Sequence, residues 1–252
     1  MMQQNIYDNP EFFQMYKNLR ESRITYNDFI EQPAIRGLLP DLQDLNVLDL
    51  GCGFGEQANY MIDNHASQVT GVDISEKMLA MARKRPEIRY IQSSMEEIEF
   101  NRNEFDLVVS SLAFHYIEDY KTLISRISEW IKPNGYLVFS TEHPVVLSNK
   151  IQSGWVKDSD HNILHWPIDN YGEEGLRSQF WGIDGVIKYH RKLSTLLNTL
   201  IQNGLAVEQI VEPESTPEGL EKMPKLINER KRPSFLLIKA RKQLCMDSNL
   251  QL

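Results

Sequence analysis

Two cysteines, Cys52 and Cys245, are all that the 252 residues contain, and they form no Cys-x-x-Cys pair. That excludes a disulfide framework, and both thiols are expected to be reduced. No apolar run approaches the roughly 20 residues of a membrane span, and Met1 to Pro10 is polar, without the apolar core of an export signal. An excess of positive charge is missing too: 27 Lys and Arg stand against 35 Asp and Glu, for a net charge of −8. That balance argues against a broad nucleic-acid or membrane footprint and suits a soluble cytoplasmic protein, a monomer or homodimer. Apolar residues, by contrast, make up 41% of the chain, ample for one large domain or for a core with a modest insertion. One segment departs from the acidic balance. Between Glu221 and Lys242 lie Lys222, Lys225, Arg230, Lys231, Arg232, Lys239, Arg241 and Lys242, with no aromatic residue interleaved for base stacking except Phe235 near its end. A solvated helix face and strand end account for it.

Hydrophobic runs set against turn signals place strands near 46–50, 69–73, 88–92, 105–110 and 135–141. Helices fall between them, at 55–65, at 75–84 behind a Ser75 cap, and at 119–131 with Leu123, Ile124, Ile127, Trp130 and Ile131 on one face. Pro133-Asn134-Gly135 stops the last helix and turns the chain into the fifth strand. Such alternation implies an α/β fold with a mainly parallel sheet, helices on both faces and a ligand crevice at the carboxyl ends of the strands. Residues 10–38 supply one or two helices ahead of the first strand, and residues 1–40 are expected to cap the crevice. Residues 144–191 hold three of the four tryptophans, Trp155, Trp166 and Trp181, among turn signals, and read as β-hairpins inserted after strand five to form a substrate lid. A helix at 194–203 and strands near 206–212 and 234–240 bring the sheet to seven strands. Residues 1–243 then form a single domain, and 244–252 a frayed tail.

The most informative stretch is Val47-Leu48-Asp49-Leu50-Gly51-Cys52-Gly53-Phe54-Gly55, a strand running into glycines at alternate positions. Without Cβ atoms the backbone turns sharply there and approaches a ligand closely, while the following helix offers free N–H groups. A dinucleotide fingerprint starting at Gly51 needs glycine at position 56, where Glu56 stands. The acidic-x-Gly-x-Gly-x-Gly pattern instead resembles motif I of the class I methyltransferases that use S-adenosylmethionine. A carboxylate such as Asp49 helps place a cationic sulfonium and amino group, whereas it would repel phosphates.

Further positions strengthen the resemblance. Asp73 ends the second strand, just before Ile74, where a carboxylate accepts both ribose hydroxyls; the helix-cap role is already filled by Ser75. Ser94 stands where many of these enzymes have an aspartate that bonds the adenine amino group, and Met95 follows it to meet the ring with its backbone N–H and soft side chain. Phe105 to Tyr116, including Ser111, is similar to motif IV and its following loop. More closely, the chain resembles a bacterial branch of the type 11, ubiquinone/menaquinone-biosynthesis-like methyltransferases, through Tyr16-Lys17-Asn18-Leu19-Arg20, Ser140-Thr141-Glu142-His143-Pro144 and Lys188-Tyr189-His190-Arg191. The resemblance implies a Rossmann-like doubly wound fold and S-adenosylmethionine as methyl donor, with S-adenosylhomocysteine as product and no metal. It implies a cofactor-binding set of Tyr16, Arg20, Asp49, Gly51, Cys52, Gly53, Gly55, Asp73, Ile74, Ser94, Met95 and Ser111.

The chemistry expected is in-line methyl transfer to a small-molecule acceptor, at O, N or C, in a pocket closed to water. A general base is needed only where the acceptor must lose a proton. His115, a few residues beyond the fourth strand, is the first candidate, with His143 and His190 behind it. Arg20 and Arg191 are candidates to bind an acidic substrate or the cofactor carboxylate, and Glu142 to orient a basic or hydroxylated acceptor. Trp155, Trp166, Tyr171, Phe180, Trp181 and Tyr189 suggest a flat, aromatic or lipophilic acceptor. Two alternatives stay open: a tRNA methyltransferase, for which the basic 222–242 segment speaks, and a cofactor-binding protein without methyl transfer, for which Ser94 speaks.

Overall fold

The computed structural model describes residues 4–22, 24–151 and 154–244, so Cys245 and nearly all of the expected tail lie outside the described residues. A 3-10 turn at Ile6–Asp8 leads into α1 (Pro10–Glu21), whose start is fixed by Asn9: its side chain accepts from the amides of Glu11 and Phe12, and Pro10 follows it where no N–H is needed. A π-helical turn, Asn27–Glu31, runs into α2 (Gln32–Leu38).

The alternation then follows: β1 (Asn46–Leu50), α3 (Glu56–Asp63), β2 (Gln68–Asp73), α4 (Glu76–Met81), β3 (Ile88–Gln92), β4 (Phe105–Ser110), α5 (Tyr120–Trp130) and β5 (Ile131–Glu142). Ser75 caps α4 through the Met78 amide, and Asp119 caps α5 through that of Thr122. α4 stops at Met81, short of the expected residue 84; Lys84 Nζ bonds the Leu79 carbonyl, taking up a helix-end acceptor ahead of Pro86. Pro133-Asn134-Gly135 does not separate α5 from β5 by a turn. It forms an irregularity within the strand, where pairing with β4 jumps from Phe105↔Ile131 to Leu107↔Tyr136 and Asn134 takes a φ of 66°.

After β5 come α6 (Pro144–Leu147), a hairpin of β6 (Val156–Lys157) with β7 (Ile163–His165), and a longer one of β8 (Gly175–Trp181) with β9 (Ile183–His190). The chain closes with α7 (Leu193–Gln202), β10 (Leu205–Val211), α8 (Pro217–Lys222) and β11 (Phe235–Lys242). The main sheet has seven strands in the order β10-β11-β5-β4-β1-β2-β3. Every pairing within β1–β5 is parallel, and β11 runs antiparallel to both β5 and β10. This is the doubly wound, mainly parallel α/β fold with extra hairpins after β5. The order reverses between β1 and β4, the place where such sheets open a crevice. Among the described residues, no helix is long and apolar enough to cross a membrane.

The central strands, β1 and β4 above all, are buried on both faces. Leu48 and Leu50 pack with α5 and α7 on one side, while Val47, Leu107 and Val109 pack with α2 and α3 on the other. Trp130 anchors the first layer, 2% exposed, edge-on to Phe100 at 5.2 Å and under the Arg126 guanidinium. Trp130→Ala is expected to lower unfolding free energy by about 3–5 kcal/mol in urea titration; a loss under ~1 kcal/mol would show that this layer does not hold the sheet.

Candidate active site

The loops leaving the carboxyl ends of β1 to β5 converge with the N-terminal segment and the β8–β9 hairpin around a cavity of about 670 Å³, within the usual size of small-molecule sites. Its floor is the glycine turn. Gly51, Gly53 and Gly55 have φ of 75°, 51° and 73°, a left-handed backbone that side chains disfavour. The amides of Gly51 and Cys52 both donate to Val72 O, at 2.8 and 3.0 Å, tying the turn to β2. Asp73 completes the tie: one carboxylate oxygen accepts from Gly53 N and the other from Ser75 N, each at 2.8 Å. A Cβ on Gly51 would stand 2.5 Å from that of Ala113, so the turn has no room for one.

Of the cofactor residues expected from sequence, all but Gly55 line this cavity. Gly55 instead begins α3, and the Tyr90 side chain fills the space beside it. Ser94 bonds the Glu96 amide at 3.1 Å and so shapes the turn that carries Met95. Cys52 is buried, and burial together with the carboxylates of Asp49 and Asp73 pushes its thiol well up, keeping it protonated. Asp49 is 1% exposed, and its Oδ2 has no hydrogen-bond partner. Burial, and then the neighbouring Asp73 charge, push its carboxyl up to about 7. Arg20 reaches the same region, paired with Glu56 at 2.5 Å, while its Nη1 lacks a hydrogen-bond acceptor.

The three histidines separate. His115 lines the cavity at 3% exposure, and its Nδ1 accepts from the backbone amide of Glu142 at 3.3 Å. Burial, aided by Lys188 and Arg191, holds it down at about 4, so the ring is neutral near pH 7 with its proton on Nε2. Nε2 is thus a donor in this arrangement, at the residue the sequence marked as the first candidate base. His143 is not brought to the cavity: it caps α6 through the Val145 amide and pairs with Glu212 at 2.9 Å. Nor is His190, fully buried with Nε2 on the Tyr171 carbonyl at 2.9 Å.

Beside His115, Glu142 lines the wall and bonds Lys188 Nζ at 2.5 Å. Burial would raise its carboxyl, but Lys188 more than offsets that and leaves it below the usual range. Tyr7, which no sequence motif marked, and Tyr116, which ends the stretch similar to motif IV, approach through their hydroxyls at 3.5 Å and join Phe12, Tyr16 and Trp181 in a largely edge-to-face cluster. Residues from both ends of the chain thus form one wall. Glu31, buried in the π-helical turn, ties that cap to the strand ends by accepting from the hydroxyls of Ser111 and Ser140 at 2.8 and 2.5 Å.

The basic segment finds its aromatic partners elsewhere in the chain. Arg232 lies over both Trp155 and Trp166, at 5.2 and 4.6 Å, Lys222 over Phe29, Lys225 over Tyr26, and Lys239 and Arg241 over Tyr136. Its cations hold the fold together, the hairpin of β6 and β7 included.

Residues 48–139 match the family described as Methyltransferase domain. The S-adenosylmethionine dependent methyltransferase structure from Mesorhizobium loti is 41% identical, with a TM-score of 0.79 over 84% of this chain and 97% of that one. A structure from Listeria monocytogenes assigned to the same class is 38% identical, with a TM-score of 0.80 over 85% and 97%. An uncharacterised protein of Haemophilus influenzae is 36% identical over 94% of this chain and 97% of its own length.

The raised Asp49 carboxyl makes stability depend on pH. The folded chain holds its proton up to about 7 and the unfolded chain releases it near 4, so this contribution is full below pH 4 and fades as pH rises through 7. Asp49→Asn removes it. In thermal melts, the variant's Tm relative to the unsubstituted chain should increase from pH 5 to pH 8; a constant offset would contradict the shift.

Proposed function

Because the chain belongs to the S-adenosylmethionine-dependent methyltransferases, we propose that its cavity holds S-adenosylmethionine against a small-molecule acceptor and transfers the methyl group, leaving S-adenosylhomocysteine. The observation that carries this reading is the continuity of the cavity, from the glycine turn and Asp73 at one end to His115, Glu142 and the aromatic wall at the other. The residues fit the donor. Arg20 Nη1 and Asp49 Oδ2, buried without hydrogen-bond partners, complement a carboxylate and an ammonium or sulfonium. Asp73 accepts one amide on each oxygen and keeps lone pairs for a ribose diol. Ile74, Met78 and Met95 offer apolar surface to a base.

When bound, the donor supplies an electrophilic methyl on a positively charged sulfur. The chain's part is alignment and exclusion of water. Residues 1–40 act as the cap, held over α4 by Asp8, which accepts from Ser75 Oγ at 2.6 Å and from the Lys77 amide at 3.2 Å. Residues 144–191 act as the lid, with Trp181 seated against Tyr7, Phe12 and Tyr16. The whole works as one methyltransferase unit. His115 presents its Nε2–H to the acceptor rather than taking a proton from it.

Calorimetry with S-adenosylmethionine and S-adenosylhomocysteine tests the reading. Asp73→Ala and Gly53→Val should each weaken binding about ten- to a hundredfold, the range expected when hydrogen bonds to a charged group are lost. Unchanged affinity in both variants, or no binding by the unsubstituted chain, would defeat it.

A further inference from the structure

The acceptor end of the cavity carries its own selection rule, which rests on the methyl-transfer reading above. We propose that Glu142 and His115 form a recognition pair for an uncharged or cationic acceptor that bears a hydroxyl or amine. The Glu142 carboxylate takes the acceptor's O–H or N–H, and His115 Nε2–H donates to a lone pair where the molecule carries one.

Four observations carry it. First, Glu142 uses one oxygen on Lys188, while Oε2 is buried with no hydrogen-bond partner. A desolvated carboxylate oxygen without a donor is unfavourable, and a ligand donor seated against this wall relieves it. Second, the Glu142 amide occupies His115 Nδ1, so one residue both fixes the imidazole tautomer and supplies the acceptor group beside it. His115 Nε2 has no hydrogen-bond partner among the described residues. The two polar groups are complementary, one donor and one acceptor, as a hydroxyl or a neutral amine requires.

Third, the neighbouring cations are engaged. Lys188 is 3% exposed, bonded to Glu142 and 5.4 Å from the Trp181 ring centroid. Arg191, a candidate from sequence for binding an acid, lies outside the cavity wall and donates to the carbonyls of Ile117 and Glu118. Arg20 is paired with Glu56, and Lys225 stands over Tyr26. Fourth, among the described residues, the cations that line the cavity are Arg20 and Lys225, against the carboxylates of Asp49, Glu56, Asp73, Glu96, Glu118 and Glu142. An anionic acceptor would enter a negative field in which Arg20 serves the donor's carboxylate and Lys188 is already bonded to Glu142. Glu142 is therefore a specificity-determining residue, and His115 orients the molecule that Glu142 selects.

The test uses the full chain, with and without saturating S-adenosylhomocysteine, and four probes on one ring: benzyl alcohol, benzylamine, toluene and benzoate. Ligand-observed NMR titration should find the alcohol and the amine bound at least about tenfold more tightly than toluene or benzoate, a difference equal to one good hydrogen bond. Glu142→Ala should erase that preference. Glu142→Gln, which keeps shape and a carbonyl acceptor, should retain the alcohol and lose the amine by about tenfold. In parallel, ¹⁵N spectra of the histidine rings should place the His115 proton on Nε2 at pH 7. Benzoate binding as tightly as benzyl alcohol, preferences unchanged in both variants, or no probe binding at all would each overturn the proposal. So would a His115 proton on Nδ1. A chain that binds S-adenosylhomocysteine yet shows one of these results loses only this selection rule. A chain that binds no S-adenosylhomocysteine loses the methyl-transfer reading itself.

Discussion

Negative charge buried at the carboxyl ends of the strands is the constraint on which the rest of this structure depends. Asp49 and Glu31 are buried there and Asp73 and Glu142 half-buried, a situation unfavourable for a carboxylate unless each finds a partner. Three find one within the chain. Asp73 is bridged by the amides of Gly53 and Ser75, Glu31 by two serine hydroxyls, and Glu142 by Lys188. Glu31, Glu142 and Asp49 each keep one unpartnered oxygen, and Asp49 is driven toward protonation. A cation entering beside it replaces a proton, which makes the glycine turn suited to a sulfonium or ammonium and poorly suited to a pyrophosphate.

The same partnerships explain how distant segments assemble one wall. Glu31 pulls the π-helical turn of the N-terminal cap onto Ser111 and Ser140 at the ends of β4 and β5. Asp8 ties the first residues to the start of α4, next to Asp73. Trp181, at the turn of the β8–β9 hairpin, then packs on Tyr7, Phe12 and Tyr16 from that cap and receives Lys188 near its ring. Cap and hairpin share one hydrophobic cluster, so each packs on the other. Such mutual support favours a dry reaction chamber with few protein groups directed at the chemistry.

The sheet was legible in the sequence because its central strands are buried on both faces and read as near-continuous apolar runs among helices that include those capped by Ser75 and Asp119. The glycine turn was legible because its backbone angles admit few residues other than glycine. The boundary at Pro133-Asn134-Gly135 was not, since a turn and a strand irregularity use the same residues and only pairing with β4 distinguishes them. Histidine roles were equally hidden. His115 and His143 follow strands and His190 ends one, yet their ring nitrogens meet an amide, a carboxylate and a carbonyl that only the folded chain brings near. Tyr7 was not marked because, besides Phe12 and Tyr16, its partners Tyr116 and Trp181 lie more than a hundred positions away. The lysines and arginines of 222–242 read as a bare basic stretch for the same reason: the rings that meet them come from residues 26, 29, 136, 155 and 166.

The central claim is that the carboxylate-lined turn orients a cationic nucleoside donor toward His115 and Glu142. A crystal structure with S-adenosylhomocysteine bound tests it most directly. The account predicts the ribose diol within hydrogen-bond distance of Asp73, the amino-acid end at Asp49 and Arg20, and the sulfur facing the chamber walled by His115, Glu142 and Tyr116. A nucleoside seated away from Asp73, or a sulfur turned from that chamber, would contradict it.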